Sequence, residues 1–504
     1  MQRAALIVTG TLAVAACATR GAAPSPAPAP HPAAPAAVPA RTTGPVAVSL
    51  DRLRTYLSVL TADSMDGRAT GSRGDDLATA WMASELARAG LEPAGDGGSF
   101  FQDIPLARLA LDTTTGLTVD GRLLRAGFDV VPAGLNLGWT LDSATAIYGG
   151  VTDDSTTWPA AEASAGKLLV MKPPVGADFN AMMHSLFLLR RAGRFRRVAG
   201  FAVAALALTP PGLAQRLRAG QLTTDTLLFH LVRGSVLVSD AGASALLGAP
   251  LATAVPGEGG PVVRGAVVFR RFPLPFPVRN VAAVLPGRDP ALRATYVAIT
   301  SHHDDGAPGT AALAELARLL AAGPRPRRSL LFVSHAAEEL ELAGSRWYTD
   351  HPTVPRDSIV AEVNLGMAGP GGAADHPAED PGDLEVVGRT RLSTEFGALI
   401  DTVAAHEPAP FHLREEGDAP GHPAQAYCRA DHYSYARYGI PSISLSTGWG
   451  ADDHQATKAA RDIDVAQLAR ATELVRDIAV AVANLDHRPV VDGRRPDPRA
   501  PCAP

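Results

Sequence analysis

The chain reads as an α/β protein: a mostly parallel sheet flanked by helices, with a β-rich insert dividing it. Three observations carry that reading. After residue 280, apolar strand runs alternate with helical runs, the rhythm of a parallel sheet. From residue 116 to 271, short apolar runs sit between Gly, Pro and Asp turns, with few helices. The 504 residues are 46% hydrophobic and 19% charged, enough for two or three domains with ample core. Lys and Arg total 46 against 51 Asp and Glu, a net charge of −5, so no basic surplus argues for nucleic acid.

Residues 1–17 read as a signal peptide, with Arg3 before an apolar stretch at 4–16. Its end, Val14-Ala15-Ala16-Cys17, resembles a bacterial lipobox. That resemblance implies cleavage before Cys17, lipid on its sulfur, and export to the cell envelope with the lipid as sole membrane anchor. An ordinary secretion signal with a chance cysteine is the alternative. Residues 18–47 are Ala/Pro-rich and read as an extended spacer. The longest later apolar run, 198–208, is too short to span a bilayer and stops at Thr209-Pro210-Pro211.

Residues 48–115 read as the first part of the main domain. Leu53, Leu57 and Leu60 mark a short amphipathic helix, and residues 66–72 a loop. Leu77, Ala78, Trp81, Met82 and Leu86 recur at helical spacing before Gly90. The insert at 116–271 carries strand runs at 167–171, 201–208, 235–238 and 266–269 and a helix at 214–219. A Pro-rich connector, 272–277, opens the main part, 272–486. There strands fall at 281–285, 296–301, 329–334, 359–363, 384–387 and 440–446, with helices at 310–322 and 394–405. Leu468, Ala471, Val475, Ile478, Val482 and Leu485 form one apolar stripe of a last helix. The tail 487–504 is polar, Pro-rich and expected to be loose.

The chemistry-bearing residues stand at strand ends. His302-His303-Asp304-Asp305 closes one strand, Glu338-Glu339 follows the next, and Asp452-Asp453-His454 follows the strand at 440–446. An α/β fold builds its sites at the carboxyl edge, and His, Asp and Glu together are the ligand set of a zinc centre. Adjacent carboxylates repel in one low-dielectric space, so Glu338 and Glu339 need separate tasks, such as proton transfer and metal binding. A solvated helix start is the bland reading of such a pair. His303 and His335 read better as hydrogen-bonding partners than as ligands.

With these motifs in order, the chain resembles metallopeptidase family 28, the co-catalytic zinc aminopeptidases and their glutamate-carboxypeptidase relatives. The likeness runs from about Leu53 to Leu485. It includes Asp63-Ser64-Met65-Asp66-Gly67-Arg68, Gly90-Leu91-Glu92-Pro93, Ala337-Glu338-Glu339 with Gly344-Ser345-Arg346, and Asp431-His432-Tyr433 with Gly439-Ile440-Pro441. The insert resembles that family's protease-associated domain.

The resemblance implies a zinc cofactor of one or two ions and peptide substrates with free amino termini. It makes His302 the first metal ligand, Glu338 the general base, Glu339 a ligand of the second ion, and His454 the last ligand. The family's bridging Asp falls on Asp304 or Asp305. The loop that in the family separates the bridging Asp from the Asp supporting the first ligand is missing, so these two share both roles or one role is lost. Two further departures stand out. Where the family has Asn-Leu-Asp-Met, this chain has Asn364-Leu365-Gly366-Met367, and glycine offers no ligand. Lys458 stands where the family usually has an Asp. The expectation is a zinc-dependent peptide hydrolase, most simply an aminopeptidase, with an altered metal site. The alternatives are a catalytically degenerate, peptidase-like binding protein and an amidohydrolase on small amides.

Overall fold

A computed structural model describes residues 47–133, 138–191, 193–210, 212–223, 234–304, 307–366, 382–419, 425–447, 463–498 and 502. The expected leader with Cys17, Asp305, Met367, His454, Lys458 and most of the spacer lie outside the described residues.

The main sheet has nine strands. Its core strands are β1 (Val278–Leu285), β2 (Tyr296–His302), β3 (Ser329–His335), β4 (Ile359–Leu365), β5 (Asp383–Val387) and β6 (Ser442–Ser446), lying in the order β1-β3-β2-β4-β6-β5. Strands β3, β2, β4 and β6 run parallel, while β1 and β5 join antiparallel. These strands are apolar without alternation because both faces are covered. Val297, Ile299, Leu330, Phe332 and Val363 pack into one core, and Ala298, Leu331 and Val333 into the opposite one.

The strands run past the apolar stretches that announce them. β2 extends to His302 and β3 to His335, because the parallel ladder continues through the pair His302↔His335. β1 starts at Val278, since its first residues pair with Phe101–Ile104. The chain steps from β2 to β3 on one side, then returns past β2 to β4 on the other. The carboxyl end of β2 therefore stands at a reversal of strand order, the place where α/β sheets bind ligands.

Helices α1 (Leu50–Leu60), α2 (Arg73–Arg88), α3 (Ala307–Ala322), α4 (Ala343–Asp350), α5 (Thr394–Ala405), α6 (His432–Ala436) and α7 (Val465–Ala483) complete this part. Their starts are written locally. Ser49, Ser72, Ser393 and Asp464 each accept a main-chain N–H of the first turn of their helix. Helix α3 is buried along most of its length and begins directly behind the His302–Asp304 turn.

Between the two parts of this sheet, residues 107–272 form a second β system. Ala107–Leu111 and Phe269–Phe272 pair where the chain leaves and returns. Beyond them an eight-stranded sheet contains a parallel block of Trp139–Val151, Leu168–Lys172, Gly200–Ala204 and Ser235–Val238. Leu168 and Val170 enter one apolar cluster while Leu169 and Met171 enter another, so this block too is covered on both faces. Helix Phe179–Arg191, which the turn-rich sequence conceals, contributes Met182, Leu186 and Leu189 to the second cluster. Cys428 and Cys502 form a disulfide.

Glu362 on β4 is wholly buried. Its Oε1 accepts from Thr300 Oγ1 at 2.5 Å, while among the described residues Oε2 makes no hydrogen bond of good geometry. Burial pushes this carboxyl well above the ordinary glutamate range, more than the Thr300 bond lowers it, and nearby Asp431 adds to the rise. A folded-state value above the unfolded one gives stability that is whole below the unfolded value and is lost as pH rises through the folded one. Above about pH 4.5, unfolding free energy should therefore fall by up to about 1.4 kcal/mol per pH unit from this group alone. Denaturant melts across pH should show a flatter dependence in Glu362→Gln; an unchanged slope would contradict the assignment.

Candidate active site

The end of β2 and the turn after β3 are bound together. His302 is partly buried, and its Nδ1 lies 3.4 Å from Asp304 Oδ1. Its carbonyl accepts from Thr310 Oγ1 of α3 at 2.8 Å. Asp304, only 4% exposed, turns its other oxygen to the Glu339 N–H at 3.2 Å. One carboxylate thus orients an imidazole and also pins the glutamate-bearing turn.

That turn is unusual in its backbone. Ala337, Glu341 and Leu342 all have left-handed φ, at 56°, 56° and 61°. Each costs of order 1 kcal/mol in a residue with a side chain, and such strain gathers at functional sites. The turn persists because Leu342 N–H bonds Glu338 O at 2.8 Å and Ala343 N–H bonds Ala337 O at 3.0 Å. Asn280 Oδ1 accepts the Ala336 N–H at 3.0 Å. Gly344 is required here: a Cβ would sit 2.0 Å from Ala336 O.

Glu338 is partly exposed and Glu339 exposed. Desolvation pushes the Glu338 carboxyl well above the ordinary range; His302 pulls it down, while Asp431, Asp304 and Glu339 push it further up. Asp431, at the start of α6, is the site residue that strand-end reasoning misses. It is 1% exposed, and neither oxygen makes a hydrogen bond of good geometry. Burial raises its pKa to about 6, against the pull of His302 and then of the Ser345 hydroxyl. Its signal in the sequence is the Asp431-His432-Tyr433 motif shortly before β6.

The other candidates divide. His303 and His335 are wholly buried. His335 Nε2 lies 3.1 Å from the Tyr435 hydroxyl, and burial lowers its pKa. Gly366 directly follows β4 and offers no side-chain oxygen. The space above it is taken, since a Cβ would lie 2.9 Å from Ser444 Oγ and 3.3 Å from Asn364 Oδ1. Ser444 Oγ donates to Asn364 Oδ1 at 3.2 Å, and Asn364 Nδ2 donates to Thr300 Oγ1 at 2.9 Å. Asp305 and His454 lie outside the described residues, as does Lys458.

Among the described residues, no three His, Cys, Asp or Glu side chains converge on one metal position. The chemistry of the donor set nevertheless suits a cation: His302 is set among the mutually repelling carboxyls of Asp304, Glu338, Glu339 and Asp431.

The fold and this edge define an α/β protein with an acid-and-imidazole cluster at a strand-order reversal. Residues 280–479 match the family model described as Peptidase family M28. Solved structures similar to the chain include the aminopeptidase from Aneurinibacillus sp. strain AM-1, at 16% identity and TM-score 0.48, covering 88% of this chain and 95% of that one. BSAP, a zinc aminopeptidase from Bacillus subtilis, aligns at 16% identity and TM-score 0.47, covering 86% and 94%. A Peptidase M28 precursor from Shewanella amazonensis SB2B aligns at 14% identity and TM-score 0.39, covering 88% and 99%.

Filling position 366 should be resisted by its neighbours. Gly366→Ala is expected to cost about 1 kcal/mol in denaturant unfolding. Ser444→Ala in the same chain should recover part of that loss. Simple additivity in the double-mutant cycle would show that Ser444 does not crowd the position.

Proposed function

We propose that the protein is a zinc-dependent peptide hydrolase acting at free amino termini. The observation that carries this is the bond from Glu339 N–H to Asp304, which fixes the Glu338 turn against the His302–Asp304 turn. Zinc would be held by His302, Asp304, Asp305, Glu339 and His454; Gly366 weakens the ion on the His302 side, and one ion would then keep Glu339, His454 and the bridging Asp. When bound, zinc supplies a Lewis acid for a carbonyl and makes water more acidic. Glu338 takes a proton from the attacking water and delivers it to the leaving amine. Asp304 keeps the His302 ring oriented. The left-handed turn at Ala337 holds Glu338 apart from Glu339, so that two adjacent acids serve different tasks.

The second reading is a peptidase-like binding protein without catalysis, favoured by Gly366. An amidohydrolase on small amides is the third. Purified protein should carry about one zinc per chain and lose peptide hydrolysis to a chelator. Glu338→Gln should keep the zinc and lose at least about a hundredfold in kcat. No metal and no hydrolysis would favour the binding protein. Hydrolysis of small amides but not of aminoacyl anilides would favour the amidohydrolase.

The reading places the protein outside the cytoplasm, lipid-anchored through Cys17 and lifted from the membrane by residues 18–47, with the 116–271 insert as a protease-associated-like domain. Support comes from the Cys428–Cys502 disulfide, a bond that persists in oxidising compartments. Mass spectrometry of the mature protein should find a lipid-modified Cys17 as the first residue. A mature chain starting elsewhere without lipid would refute the anchor.

A further inference from the structure

The His302–Asp304 turn is held from below by a buried polar cluster that neither the strand pattern nor the proposed chemistry requires. Three side chains form it: Arg68, Asp75 and His303, exposed by 2%, 1% and 0%. Each is costly to bury unless its polar atoms are partnered.

The partnering runs through His303. Its N–H bonds His335 O at 3.0 Å, and its carbonyl accepts from Arg68 Nε at 3.0 Å. Its Nδ1 lies 2.9 Å from Ser334 Oγ on β3, and its Nε2 lies 3.2 Å from Asp75 Oδ1. One residue thereby joins the end of β2, the end of β3 and the amino-terminal segment. It stands between His302 and Asp304 in the chain, so any shift in it moves both.

The amino-terminal partners are built for this contact. Asp66, Gly67 and Arg68 all have left-handed φ, at 44°, 61° and 60°, which folds the Arg68 side chain back under the turn. Arg68 also donates to Leu60 O at the end of α1. Asp75 lies in the first turn of α2, where an acid is favourable for the helix alone. That local role uses only Oδ2, which accepts the Gly71 N–H at 2.8 Å; Oδ1 is turned to His303. A left-handed arginine on the carbonyl of His303 and a buried acid at its ring exceed what a helix start needs.

We infer that Arg68 and Asp75 are positioning residues of the candidate site, acting through His303 to set the angle at which His302 and Asp304 leave the sheet. The inference rests on the zinc-hydrolase reading for its consequence but not for its geometry. Removing a direct partner of a metal ligand changes metal affinity by about 10- to 100-fold; Arg68 and Asp75 act one contact further out, through His303, so the low end of that range is expected.

The test compares Arg68→Met and Asp75→Asn with Arg328→Met in the full mature chain. Arg328 is a matched control: it is also 2% exposed, also donates to a main-chain carbonyl, that of Leu485, and precedes β3 at the edge opposite the site. Zinc affinity is read by competition with a chromophoric chelator, and unfolding of the metal-free proteins by thermal melts. Arg68→Met and Asp75→Asn should lose about 10-fold or more in zinc affinity. Arg328→Met should lose stability but keep zinc affinity within about twofold, the tolerance of a purely structural change. Wild-type affinity in Asp75→Asn, or an equal loss in Arg328→Met, would overturn the inference. Should Arg68→Met fail to fold, the isosteric Asp75→Asn carries the comparison.

Should wild-type protein bind no zinc, the hydrolase reading fails, and amide hydrogen exchange of the metal-free proteins decides the geometry. Faster exchange in residues 302–310 and at the Glu339 amide in Asp75→Asn, but not in Arg328→Met, supports the positioning role. Unchanged exchange there rejects it.

Discussion

The carboxyl edge of the main sheet depends on the contacts of His303: three hydrogen bonds and, at 3.2 Å, a close approach of its Nε2 to Asp75 Oδ1 that lacks hydrogen-bond geometry. Four polar atoms of one wholly buried residue face four different groups, drawn from Arg68, Asp75, Ser334 and His335. In a low-dielectric interior such a network is worth most when every member is satisfied and is costly when one is not. These contacts tie the end of β2 to the end of β3 and to the amino-terminal segment, forming one platform. The strained turn after β3 leans on the same platform through Asp304 and Asn280.

Above the platform, negative charge accumulates with little internal cation to offset it. Glu338 and Asp431 both have raised pKa values, with burial as the first cause and neighbouring acids adding to it. His302 alone of the nearby groups pulls both of them down. Below Gly366 the pattern reverses: Thr300, Asn364 and Ser444 form a neutral hydrogen-bonded chain beside the protonation-prone Glu362. The side of the candidate site at Gly366 is therefore lined by dipoles, and the side with Glu338 by acids. This asymmetry is the physical ground for reading one cation rather than a symmetric pair.

Much of this was legible in the sequence. Continuous apolar runs such as Leu330-Leu331-Phe332-Val333 gave the buried parallel strands, because a strand covered on both faces needs no alternation. The acids and histidines were visible because they interrupt those runs at one end only. Strand ends were less legible, since a ladder continues through polar residues such as His302 and Asn364 once its neighbours are in register. Asp431 escaped notice as a site residue because it follows no strand; the packing of α6 brings it in. Arg68 escaped for a different reason: nothing local to Asp66-Gly67-Arg68 reveals that a loop arginine is buried against a carbonyl 235 residues away. In the insert, turn residues dominate the pattern and hide the helix Phe179–Arg191.

The disulfide also ties the end of the chain to the segment that carries Asp431. Cys428 and Cys502 are 74 residues apart, and the loop they close contains Asp431, β6, the His454 segment and α7. By chain entropy alone, closing a loop of that length disfavours the unfolded state by about 4 kcal/mol. The amino-terminal donors, His302, Asp304 and Glu339, stand outside that loop. Preparing the protein in a reducing cytosol would remove that chain-entropy advantage, leaving the segment with Asp431 to be held by packing and hydrogen bonds alone.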